Sequence, residues 1–276
     1  MSLSNKIDFM CIIVADHCNP NGDPLNANRP RTNYDGYGEM TPECIKRKIR
    51  NRLQDMGENI FVQTEDKRKD DCKSLNERAT ENLGKCTDVK AYTEDACKLW
   101  YDVRAFGQIF AYKEGKVRGE GVSIQIRGPV SITYAKTIER IDILDVGGTK
   151  STNTVTKEDG KRDSTTFFVK DVIDHGVYVF SGSIYPQLAE KTGFTDEDAE
   201  KIKQALITLF ENDASSSRPS GSMAVGTLIW WKHPGKQSIC QPQKLFRSVK
   251  ITPCEEYPFY TLDFENDYNA EIYDML

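Results

Sequence analysis

The first long apolar segment of the chain occupies residues 7–15, with Ile12, Ile13 and Val14 at its centre. Residues 19–24, which follow it, are rich in Asn, Gly, Asp and Pro, the residues that favour turns. A short apolar run bounded by turn residues is typical of a buried strand. The pattern therefore predicts a buried strand that ends in a loop.

A helix is predicted next, with Thr41 as its N-cap and Pro42 at its first position. Its apolar residues recur at helical spacing and form one stripe, which consists of Ile45, Ile49, Leu53 and Met56. Three basic residues cluster on an adjacent face, namely Lys46, Arg47 and Arg50. We expect the stripe to pack on a sheet and the basic residues to face outward.

The middle of the chain combines charged helical segments with strands. Residues 65–98 are highly charged and contain helix-compatible pieces around residues 71–83 and 93–100. Residues 121–133 and 166–185 are rich in β-branched and aromatic residues and predict strands. Between them, residues 138–164 are polar and rich in Gly, Thr, Lys and Asp, which is typical of an exposed hairpin or a long loop.

The remaining pattern predicts a second helix over residues 196–211 with Thr195 as its N-cap, a strand over 224–232 and β-like segments over 243–251. The apolar face of this helix contains Ile202, Leu206, Leu209 and Phe210. The order of strand, helix, strands, helix and strand matches an α+β sandwich of the ferredoxin or RRM type, elaborated by insertions. No repeat or linker marks a second domain, so we expect residues 1–276 to form one domain.

Composition places the chain among soluble globular proteins, with 276 residues, 38% of them hydrophobic and 29% charged. Its longest apolar stretch, residues 9–15, is too short to span a bilayer. The first six residues lack the features of a secretory signal. We therefore expect a cytoplasmic protein with no membrane partner.

The net charge of −5 conceals an uneven distribution of charged residues. Residues 255–276 hold seven acidic residues and no Lys or Arg. Residues 29–52 hold three acidic residues and seven basic ones, which are Arg29, Arg31, Lys46, Arg47, Lys48, Arg50 and Arg52. The sequence thus predicts a basic surface within an acidic protein.

Cysteine and histidine give little indication of catalysis or metal binding. No two of the eight cysteines stand at C-x-x-C spacing, so free buried thiols are predicted. His17, His175 and His233 fall in no recognisable metal or nucleophile motif. We expect no catalytic residue, no metal and no cofactor.

Four segments carry the most information about function. The first runs from Asn19 through Arg29 and Arg31 to the basic helix; alone, it is more typical of a turn that leads into a solvated basic helix. The other three are residues 102–108 (DVRAFGQ), 125–130 (QIRGPV) and 218–226 (RPSGSMAVG). Each is weak by itself, and their order along the chain gives them weight.

Together these segments resemble the backbone subunit of type I Cascade complexes, of the repeat-associated RNA-binding superfamily, and are most similar to the type I-C version. The resemblance runs from the first strand to about His233. It implies an α+β fold with a modified RRM-like (ferredoxin-like) antiparallel palm, whose strands would lie at residues 7–15, 121–133, 166–185 and 224–232. It also implies a helical finger insertion at 57–100 and a thumb hairpin at 138–165. The acidic tail beyond Glu255 has no counterpart.

The function implied by the resemblance is that of a non-catalytic subunit that polymerises along the spacer of a CRISPR guide RNA in an antiviral surveillance complex. The bases of the guide RNA would stay free to pair with target DNA. The implied partners are the guide RNA, the target DNA through the guide, further copies of the chain and other Cascade subunits.

The residues suit such a role. Lys and Arg supply salt-sensitive affinity that is independent of sequence. Glycines let backbone amides approach phosphates. Phe106 and Met223 could stack on or wedge between bases, although each is more often a core residue. The expected RNA-binding residues are Asn19, Asn21, Gly22, Arg29, Arg31, Lys46, Arg47, Arg50, Arg104, Phe106, Gly107, Gln108, Gln125, Arg127, Arg218, Ser220, Gly221 and Met223.

Other functions remain open at this stage. Type III backbone subunits of the same superfamily cut target RNA with an aspartate in a loop after the first strand, where Asp16 and Asp23 stand here. Guide-RNA processing would need His17 or His175 as a general base, but no glycine-rich loop lies near the C-terminus. A general single-strand binder is a further alternative. Gly115, Gly119 and Gly121 fit no nucleotide-binding motif.

Overall fold

A computed structural model describes residues 2–113, 121–149 and 167–276. In chain order its strands are β1 (Ile7–Asp16), β2 (Gly22–Asp23), β3 (Arg29–Pro30), β4 (Tyr37–Met40), β5 (Gly107–Lys113), β6 (Gly121–Arg127), β7 (Val130–Ile132), β8 (Ala135–Arg140), β9 (Ile143–Thr149), β10 (Phe167–Ile173), β11 (His175–Ile184), β12 (Met223–Lys232), β13 (Val249–Pro253), β14 (Tyr260–Phe264) and β15 (Glu271–Asp274).

The helices are α1 (Pro42–Asp55), α2 (Leu75–Leu83), α3 (Val89–Leu99), α4 (Tyr101–Phe106), α5 (Pro186–Thr192), α6 (Asp196–Ile207) and α7 (Pro242–Arg247). Within the described ranges, none is both long and apolar enough to cross a membrane. The N-caps predicted for the two main helices are confirmed. Thr41 accepts a hydrogen bond from the amide of Cys44, and Thr195 forms a capping box with Asp198.

The centre of the molecule is an antiparallel sheet in the order β15-β12-β1-β11-β8-β4, with β7 pairing beside β8 on β11. Strand β1 pairs along its whole length with β11, from Ile7 opposite Ile184 to Asp16 opposite His175. All but the last of its residues are buried. The predicted α+β class and the buried first strand are therefore confirmed.

The two faces of β1 belong to different cores, because successive side chains of a strand point to opposite sides. Phe9, Cys11 and Ile13 pack in the main core with helices α1 and α6. The stripe predicted on α1 contributes there, since Ile45, Ile49 and Leu53 are fully buried and Met56 is partly buried.

The opposite face of the sheet is covered by the C-terminal segment. Met10 of β1 packs with Trp231, Leu245 and Val249, and Ile12 packs with Tyr260. The β-like segment predicted over residues 243–251 is thus wrong in its first half, which forms helix α7, while β13 follows it. Both faces of the sheet are thus covered. The RRM-like form of the palm stays a prediction.

A second core lies outside the main sheet. Strands β5 and β6 pair with each other, and Phe110 and Ile124 pack on Trp100 together with α2 and α3. The single palm strand predicted over residues 121–133 is therefore wrong, because only β7 joins the main sheet. The chain turns at Gly128, where a Cβ would lie 2.3 Å from the Ala105 carbonyl oxygen. The finger boundaries at 57–100 stay a prediction.

Among the described residues, strands β9 and β10 pair only with each other, and they form what we call the β9–β10 ribbon. The strand predicted over residues 166–185 is divided at Asp174, because β10 belongs to the ribbon and β11 to the main sheet. Of the predicted thumb, residues 138–140 lie in β8 of the main sheet, 143–149 lie in the ribbon, and 150–165 are outside the described residues.

Candidate nucleic-acid interface

Two loops meet beside the start of helix α1. The backbone amide of Asn19 donates to the carbonyl of Ser217 at 2.9 Å, and that of Asp16 donates to Ser222 at the same distance. The Asn21 side chain accepts a hydrogen bond from the amide of Thr41 at 2.8 Å. The fold thus brings the predicted residues of the first loop to those of residues 218–223, which are about 200 positions away in sequence.

Asp213 joins the second loop to helix α1. Its carboxylate forms an ion pair with Lys48, whose side chain is 3% exposed, and lies 3.4 Å from Nε of Arg218. A cleft of about 190 Å³ opens here, lined in part by Arg218, Ser220, Gly221 and Met223. Arg218 is partly buried and Met223 is buried, so Ser220 and Gly221 are the exposed members of this group.

Lys48 and Asp213 were missed by sequence reasoning. Lys48 lies in the basic run of α1, and its position three residues after Ile45 on the buried side of the helix was the available signal. No local pattern indicated that Asp213 would be its partner.

A second group of predicted residues surrounds the ring of Phe106. The ammonium of Lys46 lies 5.6 Å from the ring centroid, and the guanidinium of Arg50 lies 5.0 Å from it. Both are within the range of a cation–π contact. Burial lowers the pKa of Lys46 and the positive charge of Arg50 lowers it further, while the negative charge of Glu43 opposes both effects. In the part of the chain that the structure describes, no carboxylate lies within ion-pair distance of Lys46.

The expectation that all three bases of the helix face outward is wrong. Arg47 donates to the carbonyl of Val62 at 2.7 Å, and Nε of Arg50 donates to Asp102 at 2.8 Å. The buried carboxylate of Asp102 also accepts hydrogen bonds from the backbone amides of Phe61 and Val62. These two bases therefore tie α1 to the neighbouring segment, and Lys46 remains available to a ligand.

Strands β5 and β6 extend the surface from Phe106. Gly107 pairs with Arg127, and Gln108 pairs with Ile126, so these residues lie at one end of the hairpin. Gln125 and Arg127 are exposed, and Gln108 is half-buried. Gly107 has a φ of +81°, and a Cβ there would lie 2.3 Å from the carbonyl oxygen of Ile126. This position therefore requires glycine for the close backbone approach.

Arg104 is separated from the others by its partners. Its guanidinium lies 2.8 Å from Asp198 of α6 and 3.8 Å from Glu58, and it covers the ring of Tyr101. Burial opposes protonation, but the hydrogen bonds that Arg104 donates to Asp198, together with the nearby negative charges of Asp198 and Glu58, outweigh it and raise the pKa of Arg104. The side chain holds α4 to α6, and the geometry gives it no free donor pair for phosphate.

Arg29 and Arg31 also have acidic partners. Arg31 lies 3.1 Å from Asp23, and Arg29 lies 3.0 Å from Asp145 and 3.1 Å from Asp171. The Asp23 side chain also accepts a hydrogen bond from the backbone amide of Leu25 at 3.2 Å, and this hydrogen bond closes the turn. Gly22 fits closely there, since a Cβ would lie 2.9 Å from the carbonyl oxygen of Asn28.

The two aspartates expected in a loop after the first strand lie at the end of β1 (Asp16) and in β2 (Asp23), in different surroundings. Asp16 lies 2.8 Å from Nδ1 of His17, and His17 also approaches Asp174 at 3.7 Å. Asp23 is engaged by Arg31. Among the described residues, no group of three or more His, Cys, Asp or Glu side chains is arranged to hold a metal ion.

Comparison with known proteins places this surface in context. A Haloferax volcanii protein described as "CRISPR-associated protein Cas7" is 24% identical over 234 residues, which cover 80% of this chain and 68% of that protein. Among solved structures, a "CRISPR RNA-guided surveillance complex, pre-nicking" chain is 12% identical with a TM-score of 0.47, covering 82% of this chain and 77% of that one.

A chain of the "Type III-B Cmr-beta bound to cognate target RNA" is 11% identical with a TM-score of 0.43, covering 83% of this chain and 61% of that one. The family described as "CRISPR-associated protein Cas7" matches residues 5–272, which is nearly the whole chain and includes both loops, helix α1 and strands β5 and β6. The chain therefore belongs to the CRISPR-associated Cas7 family.

Proposed function

We propose that this Cas7-family chain is a non-catalytic backbone subunit that binds CRISPR guide RNA and polymerises along it in a type I surveillance complex, most similar to type I-C. The observation that carries the proposal is the convergence of the two loops on helix α1, tied by the Asn19–Ser217 hydrogen bond and the Lys48–Asp213 ion pair. This convergence assembles residues from distant segments on one side of the helix.

The chemistry of the second group, around Phe106, suits a single strand of any sequence. Lys46 and Arg127 are cations without a carboxylate partner among the described residues, and Phe106 is a half-buried aromatic ring beside Lys46. Cations bind phosphates through salt-sensitive attraction, and an aromatic ring stacks on any base. A subunit that holds the backbone in this way leaves guide bases free to pair with target DNA.

The same proposal assigns roles to the second core and to the β9–β10 ribbon. The core around Phe61, Trp100 and Phe110 would serve as the fingers, and the β9–β10 ribbon would serve as the thumb that reaches the next copy. The ribbon exposes Phe167 and Val169 on one face, which supplies apolar surface for such a contact. Other Cascade subunits would bind the ends of the array.

Co-expression of the chain with a guide RNA tests the proposal. We expect electron micrographs to show helical arrays whose length follows the length of the RNA. The matched control is a Lys46→Ala, Arg127→Ala double variant, which should form shorter arrays or none at the same salt concentration. RNA-free particles from the unaltered protein would contradict the proposal.

The type III-like alternative, cleavage of target RNA by a loop aspartate, is favoured only by the positions of Asp16 at the end of β1 and Asp23 shortly after it. Assembled complexes would be given complementary labelled RNA and magnesium, with Asp16→Asn and Asp23→Asn as variants that preserve side-chain shape. We expect the labelled strand to remain intact. Specific cuts that disappear in either variant would replace the non-catalytic proposal with this one.

A further inference from the structure

Arg29 connects the short β2–β3 pair to the β9–β10 ribbon. One terminal nitrogen of its guanidinium lies 3.0 Å from Asp145 of β9, and the other lies 3.1 Å from Asp171 of β10. The guanidinium is about one-third exposed, while Asp171 is largely buried. The same arginine was predicted from sequence to contact RNA, but its two terminal nitrogens already face carboxylates.

The two aspartates stand directly opposite each other in the ribbon. Like charges at a directly opposed pair destabilise a two-stranded sheet, so this pair needs a cation between the carboxylates. The contact with Asp145, followed by burial, raises the pKa of Asp171, and Arg29 opposes that effect. A planar guanidinium is suited to this position because its fork can face two carboxylates at once.

Among the described residues, the other attachments of the ribbon to the body include the hydrogen bond that the amide of Ile173 donates to the carbonyl of Cys18 at 2.8 Å. Ile173 at its base is fully buried, but Phe167 and Val169 at the far end are 77% and 67% exposed. Strand β3 packs against β10, and Lys170 donates to the carbonyl of Ser216 at 3.1 Å. Arg29 itself is held by backbone pairing with Asp23 and by the hydrogen bond that its backbone amide donates to the carbonyl of Asn26. The direction of the ribbon therefore depends on contacts made near its base.

We propose that Arg29 is a positioning residue that clamps Asp145 and Asp171 and so fixes the direction in which the β9–β10 ribbon leaves the body, and that it does not bind RNA phosphate. This proposal rests on the proposed function, because the ribbon is the part expected to reach the next copy along the guide. A clamp of this kind matters for assembly and leaves the RNA affinity of a single copy unchanged.

Two RNA-binding measurements separate a clamp from a phosphate contact. Labelled single-stranded RNA that holds one copy reports affinity and its salt dependence, and a longer RNA that holds several copies reports cooperative assembly. The variants are Arg29→Ala, the Asp145→Asn, Asp171→Asn pair, and all three changes together. Arg29→Lys tests rescue by a cation without the fork. Lys244→Ala and Glu94→Gln are control changes at exposed residues on other parts of the protein.

A clamp predicts the same defect from either side. Arg29→Ala and the Asp145→Asn, Asp171→Asn double variant should each reduce cooperative assembly by about tenfold. The triple variant should be no worse, because every one of these changes removes the same contact between Arg29 and the two aspartates. The short RNA should bind all variants alike. A phosphate contact instead predicts opposite signs: Arg29→Ala would weaken short-RNA binding and lower its salt slope by about 0.7, while the aspartate pair would strengthen it. That second result would overturn the proposal.

Hydrogen exchange of the RNA-free protein gives a readout that does not depend on guide binding. If Arg29 is a clamp, amides of residues 143–149 and 167–173 should exchange faster in Arg29→Ala and in the aspartate pair, with Arg29→Lys between them and the unaltered protein. Unchanged exchange in both variants would refute the clamp. Faster exchange in a protein that never assembles on RNA would support the clamp and refute the proposed function.

Discussion

The ammonium of Lys46 lies over the ring of Phe106, 5.6 Å from the ring centroid. The guanidinium of Arg50 lies over the same ring, 5.0 Å from the centroid. Arg50 is neutralised by the buried carboxylate of Asp102, at 2.8 Å. Lys46 has no carboxylate within ion-pair distance among the described residues, so its ammonium stays available to a ligand beside the aromatic face. That combination matches one phosphate and the base attached to it.

Lys46→Ala should therefore weaken the binding of every single-stranded RNA alike. Each neutralised phosphate contact contributes about 0.7 to the slope of log affinity against log salt, and this variant should lose that amount. Fluorescence anisotropy over a salt series measures the slope. Lys244→Ala is the control, because Lys244 is an exposed cation on another part of the protein. A folded Lys46→Ala protein with the slope of the unaltered chain would remove Lys46 from the interface.

Phe106→Leu should weaken RNA binding without changing the salt slope, because the lost contact is a neutral stack. Stacking on an aromatic side chain contributes about 1–3 kcal/mol per base, so a loss of about fivefold or more in affinity is expected. Leucine retains most of the packing that the half-buried ring makes with the core. Equal affinity of the two proteins for RNA would show that Phe106 is a core residue only.

Replacement of residues 146–170 by an Asn-Gly turn should leave a folded protein that no longer assembles on RNA. The cut keeps Asp145 and Asp171 opposite each other, so a two-residue hairpin turn can join them. Sedimentation with short and long RNA would show one copy bound to each. Arrays of full length in this variant would show that the ribbon is dispensable for assembly.

Asp102→Ala should be among the most destabilising substitutions on the protein. It leaves the amides of Phe61 and Val62 without their acceptor and leaves Arg50 half-buried without its counter-ion. Breaking a buried ion pair from one side costs about 3–5 kcal/mol. Urea unfolding measures this change. Asp95→Ala, which breaks a 3.8 Å pair with Lys98 at the surface, is the control and should cost about 0.5 kcal/mol or less.

The free energy of unfolding should fall in acid because of Asp8, which is fully buried between Lys6 and His233. Burial alone would raise its pKa, but hydrogen bonds from His233, Lys6 and Ser183 lower the pKa to about 2 from 3.8. A depressed pKa contributes stability that is present above pH 3.8 and is lost as the pH falls through about 2.

This shift corresponds to about 2 kcal/mol at neutral pH. Urea unfolding across this pH range, compared between the unaltered protein and Asp8→Asn, isolates the contribution. The variant should be less stable at neutral pH, and the difference between the two proteins should shrink in acid. A difference that stays constant with pH would mean that the folded and unfolded pKa values of Asp8 are equal.

The local pattern determined the elements whose signals lie within one segment. The apolar run of β1, the stripe of α1 and the Thr41 and Thr195 caps depend on residues a few positions apart, so each was predicted with nearly the observed bounds. Pairing of strands does not have this property. Residues 121–133 and 166–185 each read as one strand, yet each is divided between two sheets, because the partners lie elsewhere in the chain.

The candidate interface was divided in the same way. The sequence named Lys46, Phe106 and the loop residues Asn19 and Gly221 as residue types suited to RNA. Only the tertiary structure decided which cations are free. Arg29, Arg50 and Arg104 meet carboxylates from segments 52 to 142 positions away, and an ion pair across such distances leaves no trace in local spacing.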